Sequence, residues 1–146
     1  MVPVRDGGES EAVFFLLFFG RGVALITLGW LDRGSLGWSP VVRWVAVVLL
    51  ALPALYAFYS VGRYFGLARA AGADHFDARY RSMPQVREGI FRYTSNGMYL
   101  CAFLAVWVVA LAFDSSAALL VAAFSHAYIW VHYLCTERPD MRRIYG

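Results

Sequence analysis

The chain has 146 residues, of which 60% are hydrophobic and 17% aromatic, while only 16% are charged. A water-soluble domain has about a quarter of its residues charged, so this composition excludes an ordinary soluble domain and indicates lipid as the solvent. The formal net charge is +3, and because the sequence contains no lysine, every basic side chain apart from histidine is an arginine.

Four stretches are apolar and about long enough to cross a hydrocarbon core of roughly 30 Å, which takes about 20 helical residues. They are residues 12–31, 40–61, 97–113 and 117–134. We therefore predict an all-α fold, a single integral membrane domain built as a bundle of four transmembrane helices. Only Asp114-Ser115-Ser116 separates the last two spans, so these should form a tight antiparallel hairpin.

The arginines predict the orientation of this bundle. An even number of spans puts both termini and the long loop on one side, and ten arginines fall there: Arg5, Arg63, Arg69, Arg79, Arg81, Arg87, Arg92, Arg138, Arg142 and Arg143. By the positive-inside rule that side is cytoplasmic. We expect an inner or cytoplasmic membrane protein whose short basic loop (62–96), tail (135–146) and both termini face the cytoplasm.

The chain shows no sign of export or of metal binding. The residues before the first span are net acidic and no small-residue cleavage site follows a short apolar core, so we expect no cleaved signal peptide. Cys101 and Cys135 lie within or at the end of spans, and their separation fits neither a zinc site nor a redox pair. We interpret them as reduced thiols that pack as small apolar groups, and we expect no metal.

Arg21 lies between two glycines near the middle of the first span. A charged side chain at this depth is costly unless it pairs, reaches a water-filled cavity or meets a lipid phosphate, and Gly20 and Gly22 let another element approach closely. The alternative is that the side chain snorkels or pairs with a neighbouring group. Both interpretations stay open.

The second span runs into residues 62–67, which read GRYFGL. Gly62 and Gly66 are one helical turn apart and leave a strip of bare backbone, on which another helix or a flat ligand could lie. Tyr64 lies between them. The pattern alone does not decide between helix packing and ligand binding.

A stripe of mostly polar residues runs along one side of the fourth span, at offsets of four and three: Val121, Ser125, Tyr128, His132 and Cys135. It leads towards Glu137, and we expect it to face the bundle. His132 is therefore a functional candidate. His126 lies on another side of the helix, and we expect it to bond a backbone carbonyl or a tyrosine. Pro139 should stop or turn the helix.

Three of these segments together resemble the membrane-bound phospholipid methyltransferases of the phosphatidylethanolamine N-methyltransferase type, which are related to the isoprenylcysteine carboxyl methyltransferases. Residues 62–67 resemble the glycine-aromatic-glycine segment of that family. Residues 96–99 (NGMY) resemble its Asn/His-Pro-Met-Tyr entry to a span, and residues 137–145 its Glu-Glu-Pro tail that ends in Ile-Tyr. The resemblance covers roughly residues 60–146. Gly97 stands for the family's proline, and Arg138 for its second glutamate.

The resemblance implies methyl transfer from S-adenosylmethionine to a lipophilic acceptor. The implied cofactor-binding residues are Gly62, Tyr64, Gly66, Asn96, Tyr99 and Glu137. Glu137 can accept hydrogen bonds from ribose hydroxyls or pair with an ammonium group, unless it only forms a salt bridge or a cap. His132 is the best-placed base for an amine acceptor, so it and Glu137 are the catalytic candidates. Arg92 and Arg21 would contact the headgroup phosphate.

Three functions remain possible at this stage. The first is methylation of the amine of a phosphatidylethanolamine-type headgroup, and the second is methylation of another lipophilic acceptor, such as an isoprenylcysteine carboxylate, a thiol or an alcohol. The absence of the Arg-His-Pro pattern argues against the carboxylate. The third is a membrane scaffold subunit without catalysis. In each case the partners are the bilayer and its lipids, with no nucleic acid, and the sequence leaves the oligomeric state open.

Overall fold

The computed structural model describes residues 7–70, 79 and 82–145, and the regular structure of this part is all helical, which confirms the predicted class. The α-helices are α1 (Gly7–Leu31), α2 (Pro40–Ser60), α3 (Leu67–Ala70), α4 (Leu104–Ala112), α5 (Ser116–His132) and α6 (Arg138–Tyr145). A 3₁₀ helix covers Gly89–Arg92, and π-helical turns cover Val61–Phe65, Met98–Ala102 and Tyr133–Glu137. Arg5 and Arg81, which the orientation argument uses, lie outside the described residues.

Two of the predicted spans have the length and composition to cross a membrane in the described part of the chain. They are the continuous helical stretches Pro40–Phe65 and Ser116–Asp140. The apolar stretches Phe15–Leu31 and Met98–Ala112 are shorter. At 1.5 Å per residue the latter reaches only roughly 22 Å, less than the core thickness of about 30 Å. A bundle of four complete spans therefore stays a prediction.

Serine side chains start two of the long helices. The Ser39 hydroxyl accepts the N–H of Val42 at 3.4 Å, and Pro40 occupies the first turn, where a missing N–H costs nothing. The Ser115 hydroxyl likewise accepts the N–H of Ala118 at 3.0 Å. Both helices therefore begin at defined residues.

The packing is centred on α4, which contacts α1, α2 and α5. Leu25 of α1 is buried against Ala110, Ala118 and Ala122, and these three alanines are fully buried. Small residues let helices approach closely, which is how helices associate when lipid removes the hydrophobic drive between them. The buried face of α2 is built in the same way from Ala54, Ala57 and Ser60.

The outer surface of the bundle is strongly apolar. Leu16, Val41 and Leu120 are each more than 70% exposed, and they represent many large apolar side chains on α1, α2 and α5. Such a surface would be a large apolar patch in water, whereas in hydrocarbon it carries no cost. The exposed surface therefore agrees with the composition in favouring a membrane environment.

Residues 32–39 and 113–116 form two loops at one end of the bundle, and the Asp32 side chain connects these loops by hydrogen bonds. Its carboxylate accepts the hydroxyls of Ser35 at 2.7 Å and Ser115 at 2.8 Å, and the N–H of Ala117 at 2.9 Å. These bonds, that from the Ala117 N–H first, hold the pKa of Asp32 below its ordinary value of 3.8.

The hairpin between α4 and α5 is as tight as predicted. Asp114 adopts a left-handed backbone conformation with a φ of 55°, and its buried carboxylate lies 3.4 Å from the Arg43 guanidinium. The same carboxylate accepts the N–H of Trp38 at 3.3 Å. Arg43 therefore pairs within the fold. Cys101 and Cys135 are both free thiols, as predicted, but only Cys101 is partly packed, whereas Cys135 is exposed.

Candidate active site

Each of the three sequence segments that carry the family resemblance overlaps a π turn in the structure, although the third does so only at Glu137 and otherwise forms α6. The turns Val61–Phe65, Met98–Ala102 and Tyr133–Glu137 lie at the end of the bundle away from Asp32, which we call the basic end (residues 61–70, 82–98 and 133–145). Characteristic bonds from residue i+5 to residue i join Gly66 N–H to the Val61 carbonyl at 2.7 Å and Phe103 N–H to the Met98 carbonyl at 3.1 Å. π turns inside α-helices are frequently found at functional sites.

The first π turn leaves a strip of backbone open. A Cβ added at Gly62 or at Gly66 would meet no described atom within 4 Å. Gly66 ends the helix with a φ of +89°, a conformation that glycine adopts without strain. Helix packing against Gly62 and Gly66, one of the two interpretations of their spacing, is therefore absent among the described residues, and space for a ligand remains.

The described ring and cation contacts of the Tyr64 side chain lie within its own helix end. Tyr64 is 36% exposed, and its ring lies edge-on to Tyr59 at 6.3 Å, with the Arg63 guanidinium 5.8 Å from its centre. These neighbours belong to its own helix end. The described contacts therefore do not join the Tyr64 ring to the Tyr99 and Tyr133 rings, and a contact between Tyr64 and the cofactor stays a proposal.

The 3₁₀ helix Gly89–Arg92 packs across the end of α2. Ile90 donates its N–H to the Ser60 hydroxyl at 2.9 Å, and this hydroxyl donates to the Tyr56 carbonyl at 2.8 Å. Gly89, with a φ of +62°, is so close that an added Cβ would lie 2.5 Å from the Ser60 hydroxyl oxygen. This contact, which no sequence pattern indicated, places the exposed Arg92 at the basic end.

Tyr99 connects the second π turn to the third. Its ring lies 5.0 Å from that of Tyr133 and 6.3 Å from that of Trp130, measured between ring centres. A turn precedes it, in which the half-buried Asn96 donates its N–H to the Thr94 hydroxyl at 3.1 Å. The structure therefore brings Tyr99 to the segment that ends at Glu137.

The chain does not stop or turn at Pro139, so that prediction was wrong. The π turn Tyr133–Glu137 is closed by the Arg138 N–H on the Tyr133 carbonyl, and Pro139 is then the second residue of α6, which continues to Tyr145. Proline is tolerated here because it directly follows the π turn, where the α-helical hydrogen-bond pattern is already interrupted. Glu137 is half-buried at the last position of the π turn.

We expected the polar stripe of α5 to face the bundle, and this prediction was wrong. Tyr128 is 54% exposed, and Val121 and His132 are also exposed. The helix instead turns Ala118 and Ala122 inwards, because small side chains fit against α4. His132 therefore lies on the outer surface, at the last residue of α5.

His126 has the structural role that we expected. Its imidazole accepts the indole N–H of Trp107 at Nδ1, with a distance of 2.9 Å, and its Nε2 lies 3.0 Å from the Tyr99 carbonyl oxygen. It is half-buried between α5 and the start of α4. The sequence did not predict that Trp107 is the hydrogen-bond donor to His126, because the two residues lie on different helices.

Arg21 is exposed. It lies on the same side of α1 as Leu25 and Leu28, which are buried and half-buried one and two turns further along the helix. A Cβ added to either neighbouring glycine would meet no described atom within 4 Å. The arginine therefore lies at a level where α1 is not packed, which leaves room beside it for another group.

Arginines dominate the charge of the basic end. Its described arginines are Arg63, Arg69, Arg87, Arg92, Arg138, Arg142 and Arg143, against the acidic residues Glu88, Glu137 and Asp140. A surface with this excess of positive charge attracts anionic groups such as lipid phosphates.

The fold and the site together define a class: a helical protein with two helices long and apolar enough to cross a membrane, and with three π turns at one basic end. A sequence model of the phospholipid methyltransferase family matches residues 41–146. The chain therefore belongs to this family, and the resemblance to its phosphatidylethanolamine N-methyltransferase type is confirmed. The match begins in α2, earlier than the expected start near residue 60. No curated protein and no solved structure matches the chain.

Proposed function

We propose that this protein transfers a methyl group from S-adenosylmethionine to the amine of a phosphatidylethanolamine-type headgroup. One observation carries the proposal: each of the three family motifs overlaps a π turn at the basic end, and the Tyr99 and Tyr133 rings bring two of these turns together at 5.0 Å. Membership of a family of phospholipid methyltransferases supports both the reaction and the lipid.

The residues of the basic end fit a nucleoside cofactor with a cationic amino acid moiety. The open backbone at Gly62 and Gly66 accepts a flat group, because no described atom occupies the Cβ positions there. Tyr99 and Tyr64 offer aromatic faces to adenine or to a sulfonium, and Asn96 offers amide groups. The Glu137 carboxylate would accept hydrogen bonds from hydroxyls or an ammonium. When bound, S-adenosylmethionine supplies an electrophilic methyl group.

The lipid acceptor requires a base and an anchor. A protonated amine has no lone pair with which to attack, so a side chain must take its proton, and His132 on the outer surface of α5 is open to a lipid from the bilayer. The exposed guanidinium groups of Arg92 and Arg21 would bind the headgroup phosphate. Most of the rate then comes from alignment and the exclusion of water.

The proposed orientation places the basic end in the cytoplasm, where a water-soluble cofactor reaches it. The excess of arginine there supports this side. In this arrangement α1 and the helical stretch Met98–Ala112 complete the four spans. Both termini are then cytoplasmic, and the membrane is an inner or cytoplasmic one.

The test is methyl transfer by the purified protein in lipid vesicles, with a methyl-labelled cofactor. We expect label in phosphatidylethanolamine and none in phosphatidylglycerol, which lacks the amine. If label enters an added prenylated cysteine instead, the acceptor is that compound and not the phospholipid amine. No labelled lipid, together with no calorimetric binding of S-adenosylhomocysteine, would overturn the proposal.

Two variants separate the proposed roles within the same assay. Glu137→Gln should raise KM for the cofactor by on the order of tenfold, because a charge-assisted hydrogen bond is worth about 1.5 to 3 kcal/mol. His132→Gln should lower kcat by about 10²-fold with little change in that KM. Glu88→Gln removes an exposed carboxylate at the same end and is the matched control. Equal effects of Glu137→Gln and Glu88→Gln would contradict the role of Glu137.

A further inference from the structure

A chain of two hydrogen bonds links α4, α5 and the second π turn. The indole N–H of Trp107 donates to Nδ1 of His126 at 2.9 Å, and Nε2 of His126 lies 3.0 Å from the Tyr99 carbonyl oxygen. Because Nδ1 accepts a hydrogen bond, the proton of the neutral imidazole is on Nε2, which donates to this carbonyl. The Phe103 and Trp107 rings pack on the imidazole at 5.6 and 6.2 Å.

The Tyr99 carbonyl accepts this bond where the backbone departs from α-helical geometry. In an α-helix it would accept the N–H of Phe103, but that N–H donates to the Met98 carbonyl at 3.1 Å. A carbonyl that loses its helical donor inside a membrane protein costs free energy unless another donor replaces it. His126 supplies a donor, and it thereby stabilises the π turn over an α turn.

The π turn determines the direction of the Tyr99 side chain. It inserts one residue relative to an α-helix, which rotates the residues at the start of the turn by up to about 100° relative to those after it. The helix after the turn is held in place by its packing on α1, α2 and α5. The turn therefore rotates Tyr99, and in the structure the Tyr99 ring lies 5.0 Å from that of Tyr133.

We propose that His126 is a positioning residue for the methyl donor, with its tautomer set by Trp107. It stabilises the π turn that points Tyr99 at Tyr133, and it contacts neither substrate. The inference rests on the proposed function, in which the Tyr99 ring contacts the cofactor. It adds two residues, one on α4 and one on α5, that control cofactor binding from within the bundle.

Two substitutions at His126 separate its two hydrogen bonds. In His126→Gln the amide nitrogen takes the place of Nε2 and still donates to the Tyr99 carbonyl. In His126→Asn the shorter side chain still accepts from Trp107 but does not reach that carbonyl. We expect His126→Gln to bind S-adenosylhomocysteine within about threefold of the wild type, and His126→Asn to bind it on the order of tenfold more weakly, which is one lost hydrogen bond.

Kinetics and a double-mutant cycle distinguish positioning from a general loss of structure. His126→Asn should raise KM for the cofactor and leave kcat at saturating cofactor and KM for the lipid unchanged. In a Tyr99→Ala background it should have no further effect on affinity, because His126 acts through Tyr99. Trp107→Phe, which frees the tautomer, should weaken binding by a smaller factor and keeps the test possible if His126→Asn does not fold.

The outcomes separate this inference from the proposed function. If wild-type protein neither binds S-adenosylhomocysteine nor methylates lipid, the proposed function fails. If wild-type protein does both, two results would refute the positioning role of His126 and leave the methyltransferase assignment standing. One is wild-type affinity of His126→Asn for S-adenosylhomocysteine. The other is a loss of affinity in His126→Asn that adds fully to the loss caused by Tyr99→Ala.

Discussion

Replacing Gly62 by alanine tests the proposed cofactor contact with almost no cost to the fold. A Cβ at this position meets no described atom within 4 Å, and the glycine lies in a helical turn where alanine fits without strain. Alanine is favoured over glycine inside a helix by up to about 1 kcal/mol. The free energy of unfolding of Gly62→Ala should therefore equal or slightly exceed that of the wild type.

Cofactor affinity should respond in the opposite direction. If the cofactor lies on the bare backbone, the added methyl group occupies part of its place. A mismatch of one methylene in a binding pocket is worth about 1 to 3 kcal/mol, or roughly 10 to 200-fold. We therefore expect the Kd for S-adenosylhomocysteine to rise by on the order of tenfold or more, while the unfolding temperature does not fall.

Calorimetric titration in detergent measures this affinity, and thermal unfolding in the same buffer measures stability. The matched control is Gly20→Ala, because Gly20 is also helical and also has open space at its Cβ position, but lies in α1 away from the family motifs. Wild-type affinity in both variants would refute a cofactor contact at Gly62. A lower unfolding temperature in Gly62→Ala alone would contradict the open space described there.

Two further predictions concern stability. Gly89→Ala should lower the free energy of unfolding by about 2 to 5 kcal/mol, because a positive φ costs about 1 to 2 kcal/mol and the clash with Ser60 about 1 to 3 more. Gly34→Ala, with a φ of +82° but open space, should show only the first cost, so equal losses in chemical denaturation would refute the clash. Asp32→Asn should lower the unfolding temperature at neutral pH, because a carboxylate whose pKa is lowered contributes stability above its ordinary value of 3.8 and loses it as pH falls through the lowered value. The difference from wild type should therefore shrink in acid, unlike that of the exposed Glu9→Gln, and a difference independent of pH would argue against the role of Asp32.

The departures from the family pattern have different structural contexts. Gly97 replaces a proline, and here a Cβ would lie 2.8 Å from the Ile90 side chain, so a ring at this position would displace Ile90. The glycine is therefore matched to the packing of the 3₁₀ helix. Arg138, which replaces the second glutamate, is exposed, and nothing in the structure explains that substitution.

The sequence by itself determined the helical class, the apolar outer surface, the tight hairpin at Asp114 and the three segments that identify the family. These features follow from the length of apolar runs, from turn residues and from local motifs, all of which depend on neighbours in the chain. The free cysteines and the hydrogen-bonded His126 followed from equally local arguments.

Only the tertiary structure decided which side of each helix packs and where the helical register shifts. Polarity predicted that His132 would face the bundle, yet the alanines of α5 face α4 because close approach outweighs polarity at a helix contact inside a membrane protein. The π turns, the bond from Ile90 to Ser60 and the chain from Trp107 to Tyr99 depend on elements far apart in sequence. A pattern read along one helix does not contain its partners, and these partners set the direction of the side chains at the candidate active site.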